Sequence, residues 1–493
     1  MRFRRGNVFV TCSRDIVRYG VALPIGNRVD PLICPGAFPG VESFVSVYRG
    51  RGPAKMRTLP RVALGTVHPE IDGRPLLWAL LQRLEQSGVQ SQCFTTQSRF
   101  PLVDGAAPIT GRAYRHLDGK LMSIDVCQEV FANGMVGADL AIVEETAAGC
   151  SGSLESLAQS LELPRLYIVD AQADPCQLPV RPQQIDGIFL TNAADHHQFT
   201  QQRLRWETLW NAPVLGGLVE TAHVCAILER IPAGSRPSQE LVRALNKGLV
   251  LTKNVDALLE LAGPTGRPVA RQIFGPSQAL QDLRVAVAFD DAFHNYFPDT
   301  LDLLELNGAQ LRDFSPLADP DLPSGTDVVY LGCGHVERFA ESLAANPCMI
   351  AVLRRHARCG GRIYAEGGGA AYLCHQMEFD TGECFQACGI IPAVAKHVDN
   401  PQPSELVEVT LSNDCWLGER AEVLRGYRNA QWRMEPMGPH WSLGSNPSAR
   451  TLTSHSEMLC RDHVIASQVH LNLVAQPHLL GACAAASSAA LYR

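Results

Sequence analysis

Short, continuous apolar stretches alternate along most of this chain with longer stretches whose apolar residues recur at helical spacing. A short apolar run of this kind is typical of a strand that is buried on both faces of a sheet. In the first half, the predicted strands are 62–66, 138–143, 165–170 and 186–191, and the predicted helices are 75–84 and 153–161. This alternation predicts a parallel sheet that is covered by helices on both faces.

The alternation stops at a segment rich in Gly, Pro and Arg, and then it restarts. We predict that this segment, 263–282, is a linker, because clusters of Gly and Pro interrupt regular structure. After the linker, the predicted strands are 284–289, 327–332 and 362–366, and the predicted helix is 301–307. The chain is therefore predicted to contain two α/β domains, 58–262 and 283–493, with an N-terminal extension at 1–57.

The extension differs in composition from the rest of the chain, since it is rich in Gly, Pro and Arg and holds few acidic residues. Its weak periodicity predicts an irregular segment. Two interpretations are open: a solvated tail, or an arm through which the chain docks onto a protein partner.

Composition places the chain among globular proteins and excludes wholesale disorder, because 46% of its 493 residues are hydrophobic and 19% are charged. The 43 basic and 50 acidic residues give a formal net charge of −7, which argues against nucleic-acid binding. No apolar run approaches the ~20 residues that a membrane-spanning helix needs. The basic start at Met1–Arg5 lacks the apolar core of a signal peptide, so we expect a cytoplasmic protein.

The 16 cysteines are scattered and form no CxxC pair. Cys384 and Cys388 lie close together, but the second pair that a zinc site needs is missing from the sequence. Disulfides are not expected in a chain without an export signal. We therefore expect buried, reduced thiols that act as small apolar residues.

Six segments go beyond a generic α/β pattern, namely 111–118 (GRAYRHLD), 137–144 (GADLAIVE), 290–299, 314–319, 327–337 (DVVYLGCGHVE) and 363–369 (IYAEGGG). Together they resemble the cobyrinate a,c-diamide synthase family. Members of this family are ATP- and glutamine-dependent amidotransferases that act on corrinoid and related tetrapyrrole carboxylates. The resemblance extends in order over about 61–472. It implies a dethiobiotin-synthetase-like parallel-sheet domain, a class I glutamine-amidotransferase-like α/β domain after it, and a homodimer.

The segment that the resemblance assigns to nucleotide binding departs from the usual pattern. A loop that holds phosphates needs G-xxxx-G-K-[ST], with small residues, a Lys and a hydroxyl. The segment 65–75 (GTVHPEIDGRP) keeps Gly65 and Thr66 but has no Lys, and its acidic residues would repel phosphate. Arg74 at the helix start is a candidate contact for an anion. The alternative is a strand-to-helix connection that binds no nucleotide.

Glu144 lies at a strand end where the resemblance implies a magnesium-binding Glu. A carboxylate there is a suitable metal ligand when phosphates complete the coordination sphere. Without phosphates, Glu144 is instead expected to be solvated or hydrogen-bonded. The ATP and Mg²⁺ sites are therefore predicted to be eroded.

The resemblance also implies a glutaminase whose nucleophile is the Cys of a YAECGG motif, activated by a His near the C-terminus. Gly367 stands in the place of that Cys, and a glycine cannot be acylated. Cys374 lies seven residues further on, ~10 Å along the following helix, which is too far to substitute for it. His470 matches the family's His and is interpreted as a remnant or a ligand contact. Glutaminase activity is therefore predicted to be absent.

Cys333 replaces a middle Gly of the family's GGG sequence beside the oxyanion-binding turn. Its side chain adds bulk where a substrate carbonyl should lie. A second interpretation is that Cys333 is itself a displaced nucleophile.

Arg112, Arg115 and Asp118 lie in the segment that the resemblance associates with the tetrapyrrole. Guanidinium groups suit propionate and acetate side chains because they form bidentate hydrogen bonds with carboxylates. The alternative is that Arg115 and Asp118 pair with each other and hold a loop.

Three functions follow from these features. The first is a non-amidating relative that binds a tetrapyrrole or related polycarboxylate cofactor, or serves as a subunit of a cofactor-related complex. The second is ATP-dependent amidation of tetrapyrrole carboxylates with ammonia rather than glutamine as the nitrogen donor. The third is a scaffold subunit that docks through residues 1–57.

Overall fold

The structure is a computed structural model, and it describes residues 60–480. The gaps in this range are 69, 102, 148–152, 175–181, 233, 264–271, 276, 400–403, 430, 439–441 and 446–456. The N-terminal extension and much of the expected linker lie outside the described residues, so their roles stay predictions.

The first half builds an eight-stranded sheet in the order β3-β2-β4-β1-β5-β6-β7-β8, in which every pairing is parallel except that of β7 with β8. The strands are β1 Arg61–Thr66, β2 Ser91–Thr95, β3 Arg115–His116, β4 Leu140–Glu145, β5 Arg165–Asp170, β6 Gly187–Ala193, β7 Val214–Val219 and β8 Leu249–Leu251. The helices are α1 Arg74–Gln86, α2 Ala106–Thr110, α3 Ile124–Gly134, α4 Leu154–Ser160, α5 His196–Trp210, α6 Thr221–Leu228, α7 Gln239–Gly248 and α8 Val255–Ala262.

The second half builds a ten-stranded sheet in the order β10-β9-β11-β12-β21-β20-β19-β16-β17-β22, and a four-stranded sheet in the order β14-β13-β15-β18. The strands are β9 Arg284–Ala288, β10 Gln310–Phe314, β11 Val328–Leu331, β12 Arg362–Glu366, β13 Gln376–Glu378, β14 Cys384–Gln386, β15 Ala393–His397, β16 Leu406–Leu411, β17 Val423–Arg428, β18 Trp432–Pro436, β19 Ser442–Ser445, β20 Met458–Arg461, β21 Val464–Ser467 and β22 Val469–His470. The helices are α9 Pro298–Leu306, α10 Ala340–Ala344, α11 Pro347–Arg358 and α12 Gly368–Leu373.

The predicted α/β class is confirmed in both halves. The parallel strands β9 to β12 and β21 continue into antiparallel strands, so the second large sheet is mixed. Each half has a buried apolar cluster. Helix α1 buries nearly all of its apolar side chains in the cluster of the first half. Within the described residues, no helix is long and apolar enough to cross a bilayer.

Buried charged and aromatic groups join the two halves. Arg115, in β3, forms ion pairs with Asp299 and Asp302, which both belong to α9. The distance from Arg115 Nη1 to Asp302 Oδ2 is 2.8 Å. Phe100 stacks on Phe297 with ring centroids 4.8 Å apart and meets His470 edge-on at 5.3 Å. The carboxyl edge of the first sheet therefore lies against the strand ends of the second.

The cysteines that the structure describes are free thiols. The expectation that they are buried is confirmed only in part, because Cys348, Cys359 and Cys384 are exposed.

Candidate functional site

A strand-to-helix elbow in the second half brings four buried side chains to one point. Glu366 ends β12, Gly367 makes the turn, and α12 starts one residue later. Cys333 follows β11 in the neighbouring loop, Asn429 follows β17, and His470 lies in β22. The exposed fractions of Cys333, Glu366, Asn429 and His470 are 3%, 1%, 5% and 4%.

Gly367 adopts a conformation that favours glycine, with φ 51° and ψ −114°. Its N–H donates to the Ser467 carbonyl at 2.9 Å, which fixes the turn. A Cβ placed on residue 367 would lie 3.0 Å from the Cys333 sulfur, 3.0 Å from His470 Cε1 and 2.8 Å from Asn429 Nδ2. The space beside the elbow is therefore filled by the other three groups.

His470 is held between a carboxylate and two polar side chains. Its Nδ1 lies 3.5 Å from Glu366 Oε2, its Nε2 lies 3.2 Å from Asn429 Nδ2, and the ring lies beside the Cys333 sulfur. Burial lowers the pKa of His470, but interactions with Cys333 and Glu366 outweigh burial and raise it to about 10. These neighbours therefore favour the protonated imidazole.

Glu366 is itself held in place by two donors to its other oxygen. The Tyr364 hydroxyl donates to Oε1 at 2.6 Å, and the Leu471 N–H donates to the same atom at 3.0 Å. This leaves Oε2 for His470. The arrangement orients the imidazole as the third group of a nucleophile–base–orienter set does.

Asn429 is fixed in one orientation by backbone donors. Its Oδ1 accepts from the N–H groups of Gln431 and Trp432 at 3.0 and 3.1 Å. Its Nδ2 therefore points into the site, where it donates to the Cys333 sulfur at 3.4 Å.

The loop that carries Cys333 is pinned by backbone hydrogen bonds to Asn295, one in each direction, at 2.9 and 3.3 Å. Cys374 lies away from the site, because its thiol donates to the Ala370 carbonyl inside α12, and burial raises its pKa. The prediction that Cys374 cannot replace the elbow nucleophile agrees with this placement.

The predicted nucleotide segment forms the connection between β1 and α1. Gly65 and Thr66 end β1, and Arg74 starts α1. The Arg74 side chain binds both carboxylate oxygens of Asp72 at 2.7 to 3.1 Å, and its backbone N–H donates to the same carboxylate at 3.0 Å. The anion that Arg74 binds in this structure is therefore Asp72.

Glu144, the expected magnesium ligand, is bonded within its own turn. One carboxylate oxygen accepts from the Thr146 N–H at 2.8 Å and from the Thr146 hydroxyl at 2.6 Å. Burial raises the pKa of Glu144, which favours the neutral form over a metal-binding carboxylate. Across the described ranges, no group of three or more His, Cys, Asp or Glu side chains is arranged to hold a metal. One Glu144 oxygen is thus engaged by Thr146 within the turn.

The three expected substrate residues make contacts within the protein. Arg112 donates to Gln92 Oε1 and to carbonyls at the C-terminal end of α3, including Val136 O at 2.9 Å. Asp118 accepts from the Ser98 and Lys120 N–H groups. Arg115 pairs with the two carboxylates of α9, so its ion pairs cross to the other half. Substrate binding by these residues stays a prediction.

Sequence reasoning did not nominate Glu366 or Asn429. Glu366 is part of the IYAEGGG segment, so its position at the end of β12 was available as a signal. Asn429 has no local motif, and only the antiparallel pairing of β17 with β22 brings it to His470.

Comparisons with known proteins agree with this architecture. The model of the CobB/CobQ-like glutamine amidotransferase domain matches residues 284–473, which include every residue of the elbow site. A cobyrinate a,c-diamide synthase of Methanosphaera stadtmanae is 31% identical over 297 residues, which is 55% of this chain and 65% of that protein, just under two thirds. Cobyrinate a,c-diamide synthases of Methanosarcina acetivorans and Salmonella typhimurium are 26% and 28% identical, over 75% and 81% of this chain and 83% and 92% of their own lengths.

The second half is thus a glutamine amidotransferase-like domain with its candidate site at the elbow. The resemblance to cobyrinate a,c-diamide synthases that was found in the sequence is confirmed.

Proposed function

We propose that this chain is a non-amidating member of its family. It binds a tetrapyrrole or related polycarboxylate, either alone or as a subunit of a cofactor-related complex. The proposal that the chain does not amidate rests on the ion pair between Asp72 and Arg74 at the start of α1.

A helix N-terminus binds phosphate through free N–H groups and positive charge. Here the Arg74 N–H and two guanidinium nitrogens bind the Asp72 carboxylate. The positive charge that would attract a phosphate is therefore already neutralised by a neighbouring carboxylate. With Glu144 bonded to Thr146, the segment lacks the charge that a bound nucleotide and its cation require.

The ligand class is supported by the family. The segments that carry the resemblance follow one another in the family's order through both halves, and the relatives are named for cobyrinate, a polycarboxylate. Arg115 in β3 meets α9, and Phe100 after β2 stacks on Phe297, at the junction of the two halves. The carboxyl ends of parallel strands commonly form binding sites. We place the ligand at this junction.

Absorption titrations with sirohydrochlorin, sirohaem and a corrinoid test the ligand class. We expect a saturable spectral change with at least one of them. The absence of binding to all three would overturn the tetrapyrrole part of the proposal.

Incubation of the chain and a corrinoid carboxylate with ATP, Mg²⁺ and ammonium tests the non-amidating part. We expect no carboxylate-to-amide mass change, while the Salmonella typhimurium relative serves as the positive control under the same conditions. An amide product would establish ammonia-dependent amidation, the alternative function, and would refute this part of the proposal.

A further inference from the structure

We propose that Cys333 is a nucleophile that replaces the elbow residue, and that its substrate is a small primary carboxamide such as that of glutamine. His470 acts as its acid and base, and Glu366 positions His470. The inference goes beyond the proposed function, since it concerns the second half alone and needs neither ATP nor a tetrapyrrole.

The first support is the fit between Cys333 and Gly367. A cysteine at residue 367 would extend from a Cβ that already lies 3.0 Å from the Cys333 sulfur. The two thiols would claim the same volume, so the site accommodates one of them. The glycine at the elbow removes a thiol, and the cysteine in the facing loop supplies one at nearly the same place.

The second support is that the imidazole contacts this sulfur. His470 lies beside Cys333 on one side, since both would be 3.0 Å from a Cβ at residue 367, and meets the Glu366 carboxylate at 3.5 Å on the other. A thiol, an imidazole and an orienting carboxylate in contact are the groups that nucleophilic catalysis by cysteine requires. If His470 were only a packing remnant, its ring would not need a carboxylate held by two further donors.

The third support is Asn429, whose amide is locked by two backbone N–H groups so that its Nδ2–H₂ donates to the sulfur at 3.4 Å. A donor held at this place fixes the position of the sulfur beside His470. The thiolate, rather than the thiol, is the nucleophile in cysteine chemistry.

The reaction that these groups support is hydrolysis in two steps. The Cys333 thiolate attacks the carboxamide carbon, the C–N bond breaks, and the His470 imidazolium gives its proton to the leaving ammonia. The resulting thioester is then attacked by water, which gives a proton to His470 as the C–S bond breaks. One carboxamide and one water yield one carboxylic acid and one ammonia, and the thiolate and imidazolium are restored.

This inference runs against the sequence-based expectation that the loss of the elbow cysteine leaves the pocket inactive. It supports the second interpretation of Cys333, a displaced nucleophile, over simple bulk.

Peptide-resolved alkylation of the native full-length chain by iodoacetamide, a small carboxamide electrophile, tests the thiol. At near-neutral pH we expect Cys333 to react about tenfold faster than the exposed Cys348, because His470 lies beside the Cys333 sulfur and can take its proton during the attack. His470→Gln should remove that advantage, and Glu366→Gln should reduce it. Labelling of Cys333 only after denaturation would overturn the proposal.

Ammonia release from L-glutamine tests the reaction. We expect wild-type release that is lost in Cys333→Ala and retained in Cys374→Ala, a matched loss of a buried thiol outside the site. Thermal unfolding of each variant separates loss of chemistry from loss of fold. No release by the wild-type chain, or equal release by Cys333→Ala, would overturn the assignment of the nucleophile, whatever the outcome of the tetrapyrrole titrations.

Discussion

Two strand-to-helix turns of this molecule invite comparison, the turn between β1 and α1 and the turn between β12 and α12. Both lie at the carboxyl ends of parallel strands, and both lack the residue on which the family resemblance places the chemistry. In the first turn, the remaining cation, Arg74, is neutralised by its neighbour Asp72. In the second, the remaining His470 still meets a thiol and a carboxylate.

The difference lies in what occupies the space beside each turn. At the first turn, the acidic neighbour satisfies the groups that would bind a ligand. At the second turn, the neighbours Cys333, Asn429 and His470 lie around a common point, and Glu366 contacts His470. Loss of a motif residue therefore has different consequences at the two turns. The groups that contact the position of the missing residue determine whether the chemistry there is lost or altered.

The largest effect is expected from Arg115, which joins the halves that carry the two turns. Arg115→Leu leaves Asp299 and Asp302 as unpaired buried carboxylates and should cost about 3–5 kcal/mol of unfolding free energy. Burial raises the pKa of Asp299 to about 6 even with Arg115 present, so protonation should relieve part of the penalty in acid. Denaturant unfolding at about pH 5 and about pH 8 measures both effects.

Arg355→Leu is the matched control, because Arg355 pairs with Asp321 at an exposed site and its loss should change stability by less than about 1 kcal/mol. Equal effects of the two substitutions would mean that the Arg115 junction does not hold the halves together.

The next effect concerns the space beside the elbow. Gly367→Cys should cost about 1–3 kcal/mol, because its side chain meets the Cys333 sulfur and has nowhere to expand. The double variant Gly367→Cys/Cys333→Gly removes the collision with the sulfur and should recover part of that stability, because the backbone strain at residue 367 and its contact with Asn429 remain. Thermal unfolding compares the three proteins. A single variant as stable as the wild type would show that the two positions do not compete for space.

A smaller effect follows from the protonation of His470. Its pKa is about 10 in the folded chain and ordinarily near 6.5, so the folded state holds this proton more tightly than the unfolded state. The resulting stabilisation is complete below about pH 6.5 and disappears as the pH rises through about 10. The stability difference between wild type and His470→Gln should therefore shrink with rising pH, and a difference that grows over this range would contradict the assignment.

The smallest effect is expected at the first turn. ATP with Mg²⁺ should leave the wild-type unfolding transition unchanged, because Asp72 binds the donors that phosphates need. A ligand present at a hundred times its dissociation constant would add about 2.7 kcal/mol, so binding would be evident. A clear rise in the unfolding free energy with ATP would show that the first turn still binds nucleotide, and the two turns would then not differ as described.

The sequence predicted the regular parts of the fold because a strand or a helix records its environment in its own periodicity. It did not predict how the second large sheet continues after β12, because the pairings of β12 with β21, β16 with β19 and β17 with β22 join strands far apart in the chain. The same limit applies to the sites. Gly367 and His470 were found through motifs, whereas Asn429 reaches His470 only across 41 residues of chain, and the carboxylate partner Asp299 lies 184 residues from Arg115.

One incubation compares both turns directly: the wild-type chain with L-glutamine, ATP, Mg²⁺ and a corrinoid carboxylate, analysed by mass spectrometry for every product. The account predicts glutamate and ammonia from the elbow site, with no ADP and no corrinoid amide. A corrinoid amide accompanied by ADP, or the absence of glutamate, would contradict it.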